Sequence, residues 1–486
     1  MLISERWRDK LSPFAALLVI ALSWSVLACS IPRAQFKESD TFWLIEVGNK
    51  IVHDFALPTS DCYSYMSNHG RWIVYQWLTE VIFSLSNRAG LIGVALVGDL
   101  ILTYTLGVLL LRQALKFEAS PLVSIFLIAI TFFATYPDIA TLRPQLFSFA
   151  CFVLLHGVAE TAWAPAERRS LRRQVFLSAL IGVAWVNLHA SFALGAGLLF
   201  VYLLAALISN LKEGGNYFRT KTFVAILVSY LLSSLINPYG FELWNFVARL
   251  NNNFETQEMK ALDFVALGPY GAIYILLLLV MLANFKRKPQ AAIAGLALFV
   301  CGATHARLII YFCLFACPHV SRAVTEFLPT LRTNRLMAQL DLSLARILNA
   351  WFFPIIPVAI SIIALFVQPM LVPRSLPLRA AEYLALHPPR GRLFSTAHAG
   401  SYLMYRFHGL IKVFMDPRLD LYDPALCARF AAALHGDHWR ELLLENNVRE
   451  TLLPVNSPLQ SELQKSADWS EIYSDNDFAI STLRDH

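Results

Sequence analysis

Apolar blocks long enough to cross a bilayer recur along this chain, and they limit its fold more than any other feature. A hydrocarbon core about 30 Å thick takes roughly 20 apolar helical residues to cross. Runs at 11–30, 90–111, 121–136, 144–160, 174–188, 191–209, 222–236, 270–285, 290–303, 308–320 and 350–372 approach or meet that length. Basic clusters lie between them: Arg6, Arg8 and Lys10; Arg112 and Lys116; Arg168, Arg169, Arg172 and Arg173; Lys212, Arg219 and Lys221; Lys286, Arg287 and Lys288; and Arg322, Arg332, Arg335 and Arg346. Placing every cluster in the cytoplasm selects about eleven spans, with the last one ending outside. The expected class is a polytopic α-helical membrane protein. Its composition agrees, at 57% hydrophobic residues against 15% charged. The formal net charge of +6 is accounted for by these topology signals, so no nucleic-acid partner is implied.

The basic N-terminus followed by 11–28 also fits a signal peptide, and Val26-Leu27-Ala28-Cys29 has the form of a lipoprotein cleavage box. A retained first span is the expectation, because cleavage would remove a helix from the bundle. Residues 1–373 are read as the membrane domain, with a first outer loop at 31–89. That loop is too polar to span and too aromatic for a solvated linker; its acids are Glu38, Asp40, Glu46, Asp54 and Asp61. Within it, Gln76 and Glu80 sit one helical turn apart, which suits a helix lying along the interface with both groups facing a cavity.

After Pro373 no further span occurs. Strands are expected at 392–396, 412–416, 450–454 and 471–475, and helices at 424–434, 438–447 and 458–466. This alternation predicts a small extracytoplasmic α/β domain over 374–486. Cys151, Cys301, Cys313 and Cys317 fall in apolar segments and read as packing. Cys62 and Cys427 lie outside the membrane, where a disulfide between them is open.

With this topology the unusual polar residues gather on the outer side. Three short turns, TLRPQ, VNLHA and THARL, bring Arg143, His189, His305 and Arg307 there, together with Asn187, Asn237 and Tyr239. Ionisable groups at helix ends are costly unless paired or functional. An enzyme acting on a lipid headgroup places them at this level, whereas a transporter more naturally places them near the midplane. Each has a plainer reading. Arg143 also suits anchoring to phospholipid phosphates, Asn187 and Asn237 suit interhelical bonds or turns, His189 suits a local cap, and Asp40 suits a helix N-cap. Asp99 reads as paired within the bundle, and His156 and Glu160 as structural. Asp416, Arg418, Asp420 and Tyr422 form a polar cluster after an expected strand, either facing a cavity or closing a turn by local salt bridges.

Several stretches in order resemble a large bacterial group: ESDTFWLIEVGNKI, LPTSDCYS, WIVYQWLTE, LRPQLFSF, WVNLHASFALG, INPYG, KVFMDPRLDLY and DWSEIYSD. The chain resembles membrane glycosyltransferases of the C-type fold, similar to dolichol-phosphate-mannose and undecaprenyl-phosphate-sugar transferases. That resemblance implies a polyprenyl-phosphate sugar donor, a glycan, lipid or protein acceptor, and action at the outer face of a bacterial inner membrane in cell-envelope polysaccharide synthesis. It implies Asp40 as catalytic base or metal ligand with Glu38 beside it, and Arg143 and Arg307 on the donor phosphate with His189 and His305 nearby. Glu80, Gln76, Asn187, Asn237 and Tyr239 would line the substrate cavity. A divalent ion, Mg or Mn, held by Glu38 and Asp40 is left open. The rival readings are a lipid-linked sugar flippase and a non-catalytic scaffold of a polysaccharide assembly machine.

Overall fold

The structure, a computed structural model, describes residues 15–26, 40–68, 70–136, 138–164, 170–213, 217–253, 261–328, 334–367 and 376–484. Cys29 and its cleavage-box reading lie outside these residues, as do Arg6, Arg8, Lys10, Arg168, Arg169 and Arg332. The chain divides into two compact units. One comprises 1–35, 95–244 and 255–370, and the other 36–94, 245–254 and 371–486.

The first unit is helical. Each expected apolar stretch contains a helix, and local capping explains several starts. Ser120 accepts from the Val123 N–H ahead of Pro121, and Ser170 accepts from Arg173. Both are N-cap side chains filling donors that the first turn leaves open. Leu91–Lys116, Gln145–Trp163, Phe192–Leu211 and Ala306–Phe327 are long and apolar enough to cross a membrane. With these four, the chain is a helical membrane protein. Others are shorter, such as Pro121–Thr135 and Pro269–Ala283; a 15-residue helix reaches only about 22 Å.

The helices pack through small residues and interhelical hydrogen bonds, as expected where lipid removes the hydrophobic drive between them. A Cβ on Gly182 would meet the Ser233 hydroxyl, and one on Gly195 would meet the Tyr230 ring. Tyr230 donates its hydroxyl to the Phe192 carbonyl at 2.7 Å, and Ser178 to the Ile226 carbonyl at 3.0 Å. Large apolar side chains such as Phe126, Phe176, Phe200 and Leu276 remain exposed, which suits a lipid-facing surface.

In the second unit, Asp40–Asp54 packs against Trp77–Ser86 at backbone contact: a Cβ on Gly48 would lie 2.0 Å from the Glu80 carbonyl oxygen. The same helix meets Ala397–Phe407, where the Trp43 N–H donates to Ser401 Oγ and the Phe42 and Tyr402 rings meet edge to face. Strands β1 (Arg392–Ser395), β2 (Val448–Pro454), β3 (Trp469–Ser474) and β4 (Phe478–Leu483) form one sheet in the order β1-β2-β4-β3. Its β1/β2 pair is parallel and the other two pairs are antiparallel.

The structure changes or settles several of the sequence readings here. Residues 412–416 make no strand, because the Val413 N–H donates to the Tyr63 carbonyl and the Val413 carbonyl accepts from Tyr65, leaving only isolated bridges. Strand β4 and the helices Leu378–Leu386 and Ala397–Phe407 were not anticipated. Glu46, one of the first-loop acids, is buried and hydrogen-bonded to His408 and Asn49. Cys62 and Cys427 are free thiols.

Candidate functional site

Four helix ends in the first unit build a polar cluster. Arg143 sits in the turn ahead of Gln145–Trp163, where its N–H donates to the Thr141 carbonyl and its carbonyl accepts from Leu146. Pro144 fixes the chain's entry into that helix. His189 follows Leu171–Leu188, with its N–H on the Trp185 carbonyl. Ser191 precedes Phe192–Glu213, and Arg307 lies in a single 3₁₀ turn before Ile309–Phe327. Three of the four ends are helix N-termini, which carry partial positive charge.

The His189 ring organises the hydroxyls. Its Nδ1 is 2.8 Å from Ser191 Oγ and 3.0 Å from Ser148 Oγ, and it accepts the Ser191 backbone N–H at 3.2 Å. A backbone N–H can only donate, so the neutral ring carries its proton on Nε2. Ser191 Oγ also meets Ser148 Oγ at 2.9 Å, Tyr311 Oη at 3.0 Å and the Trp185 indole N–H at 3.3 Å. Arg307 Nε donates to Gln145 Oε1 at 3.1 Å. Burial first, then the charges of Arg307 and Arg143, push the His189 pKa down to about 3 and keep the ring neutral. An imidazole N–H and three hydroxyls, with two guanidinium charges acting on the ring, can serve as a donor set for an anion.

The sequence candidates distribute unevenly around this cluster. Arg143 and Arg307 lie within electrostatic reach of His189, while His305 is exposed and bonded to its neighbour Thr304. Asn187 donates its amide to the Val183 and Ile236 carbonyls, tying its helix to the turn that follows Phe218–Ser233. Asn237 closes its own turn through Ser234, Gly240 and the Tyr239 N–H. Ser148, Ser191, Tyr311 and Gln145 were not singled out, although the first, second and fourth lie within the motifs LRPQLFSF and WVNLHASFALG.

In the second unit, Asp40 opens the Asp40–Asp54 helix, half-buried, and its Oδ1 accepts the Trp43 indole N–H at 3.4 Å. Glu38 lies outside the described residues. The Glu38–Asp40 pair that would hold a divalent ion therefore falls partly outside them as well. Glu80 and Gln76 are buried within the packing, and burial raises the Glu80 pKa well above the usual carboxylate range.

Arg418 resolves the second polar cluster. It grips Asp416 through Nε at 2.8 Å and Nη2 at 2.7 Å, and Nη1 lies 2.8 Å from Asp61. Tyr422 donates its hydroxyl to Asp416 at 2.7 Å, and the guanidinium lies 4.7 Å from the Trp72 ring centre. Although burial alone would raise it, Asp416 is held below the usual range by the charge and hydrogen bonds of Arg418. This is the turn-closing reading, extended by Asp61 from the 57–64 loop.

No family model and no curated protein matches the sequence. Solved structures do match. The apo oligosaccharyltransferase of Archaeoglobus fulgidus aligns with 90% of this chain and 69% of its own at 12% identity, with a TM-score of 0.54. Apo ArnT from Cupriavidus metallidurans aligns with 96% of this chain and 97% of its own at 12% identity, with a TM-score of 0.52. ArnT bound to undecaprenyl phosphate aligns at 12% identity over 98% of both chains, with a TM-score of 0.49. At this identity the likeness is one of fold, and the fold is the C-type glycosyltransferase fold.

Proposed function

We propose that this chain is an inverting glycosyltransferase, moving a sugar from a polyprenyl-phosphate donor to an envelope glycan, lipid or protein acceptor at the outer face of the inner membrane. The observation that carries this reading is neutral His189 bonded to the Ser148 and Ser191 hydroxyls, with Tyr311 on Ser191 and with the charges of Arg307 and Arg143 acting on the ring. The shared fold supports the reaction class. An eleven-span topology with a cytoplasmic N-terminus, and with the 374–486 domain outside, places these helix ends on the outer side.

In the reaction the acceptor oxygen attacks the anomeric carbon as the bond to the phosphate oxygen breaks. The leaving polyprenyl phosphate gains negative charge, which the two arginines and the His189 Nε2–H are suited to stabilise. Asp40 takes the acceptor proton as general base, a role typically worth 10²–10⁴-fold. A single displacement inverts the centre and requires no second catalytic carboxylate.

Purified protein with labelled polyprenyl-phosphate sugar and cell extract tests this directly. Transfer should fall about 10²–10⁴-fold in Asp40→Asn; undiminished transfer by that variant rejects the base assignment. One observation favours a second reading, a lipid-linked sugar flippase: Asp99 is a carboxylate buried inside Leu91–Lys116, met by the hydroxyls of Thr103 and Ser361 and by no cation among the described residues. Movement of lipid-linked sugar across vesicles without a transfer product would select it.

A further inference from the structure

On the Gln145–Trp163 helix, His156 and Glu160 lie one turn apart on one face, and His319 of Ile309–Phe327 meets them. The two imidazoles face each other with Nε2 atoms 3.1 Å apart, and His319 Nε2 is 4.0 Å from Glu160 Oε1. One ligand atom from each residue lies within 4.8 Å of the others. This cluster is not the one described above, since Ser148 and Glu160 are separated along their helix by roughly 18 Å.

We propose that His156, Glu160 and His319 bind a first-row divalent cation, Zn²⁺ by the chemistry of the donors, with water as a fourth ligand. A tetrahedral ion with bonds of about 2.0–2.1 Å holds its ligand atoms roughly 3.3 Å apart. The imidazole pair is already near that spacing, and the carboxylate needs a shift of at most about 1.5 Å to reach it. Two neutral nitrogens and one carboxylate are a His₂Glu set, which suits zinc better than Mg²⁺ or Ca²⁺.

The surroundings hold the ligands in place. Tyr202, from the Phe192–Glu213 helix, donates its hydroxyl to Glu160 Oε1 at 2.7 Å, an outer contact that fixes the carboxylate. Phe315 stacks on His156 with ring centres 4.3 Å apart, and Phe117 lies 4.9 Å from the His319 ring. Lys288 Nζ is 3.8 Å from Glu160 Oε2; its side chain is 34% exposed, enough to swing away when a cation arrives. His319 opens onto a cleft of about 110 Å³, room for several waters and so for an entry path. Arg287 and Arg322 at that cleft are each paired with Glu326, which blunts their repulsion of a cation. Bound metal would clasp two helices directly, with the Phe192–Glu213 helix joined through Tyr202.

The full chain in detergent, stripped by chelator, reloaded with Zn²⁺ and desalted, should retain about one ion per chain and melt at a higher temperature than the stripped form. Tyr202→Phe should weaken Zn²⁺ binding about tenfold, as outer-contact losses do. His156→Ala/His319→Ala should retain no zinc. Co²⁺ added to the stripped wild-type chain should give the visible absorption of a tetrahedral site and be displaced by Zn²⁺. A wild-type chain that keeps no more zinc than the double variant, or that shows no such Co²⁺ spectrum, overturns the proposal and leaves a hydrogen-bonded imidazole pair.

Discussion

Two arginine-centred clusters, one in each unit, look alike in sequence and differ in what surrounds the charge. Arg418 is enclosed by Asp61, Asp416, Trp72 and Tyr63, so its charge is matched by carboxylates within the fold. At the other cluster the charges acting on His189 are both positive, and the named partners are hydroxyls and an amide. The first arrangement holds a loop to a domain. The second is the cluster proposed above to receive the donor phosphate. A buried cation with its counterions in place is a structural element, and the local partners decide between the two roles more than the arginine does.

Breaking the Arg418 cluster should give the largest effect on stability. Arg418→Ala leaves two buried carboxylates uncompensated and should cost about 3–5 kcal/mol, read as a lowered melting midpoint. If the variant melts like wild type, the cluster is not the anchor described. At the other cluster, Arg307→Gln removes one charge-assisted contact, worth about 1.5–3 kcal/mol. That predicts about a tenfold to hundredfold loss in kcat/KM for transfer, with the melting midpoint little changed. A stability loss with transfer retained would make Arg307 the structural twin of Arg418.

The acids beside Arg418 give opposite pH signatures. Asp416 is depressed in the folded state, so its contribution is present above the unfolded value of 3.8 and is lost as pH falls through the folded value. Burial raises Asp420 to about 6, Arg418 only partly offsetting it. The folded state therefore binds the extra proton between about pH 4 and 6, and stability from this group is lost as pH rises through that window. Asp420→Asn should stabilise the protein on the order of 1 kcal/mol at pH 7, with the gap closing toward pH 4 in a melting series. An effect of similar size is expected at Asn187, where Asn187→Ala removes two hydrogen bonds and should cost about 1–2 kcal/mol of stability.

The two clusters also differ in how far the sequence revealed them. Helix positions in the first unit were legible because apolar length and basic flanks are strong local signals, and Arg143, His189 and Arg307 stood out as polar groups at helix ends. The hydroxyls were not legible: Ser148 and Tyr311 sit inside apolar helices, where a Ser or Tyr has no periodic signature. In the second unit, 412–416 has strand composition, yet its backbone pairs with the distant 63–65 loop, a tertiary choice that local sequence does not carry. Strand β4 follows a turn in which Asp475 accepts the Asp477 and Phe478 N–H groups, so the Asp-Asn-Asp run was the missed signal.

Binding of radiolabelled polyprenyl phosphate to wild type and to Arg143→Gln/Arg307→Gln, both checked for equal melting, tests the central claim most directly. The account predicts a loss of affinity of about a hundredfold or more in the double variant, two charge-assisted contacts being removed. Equal affinity in the two proteins would contradict it.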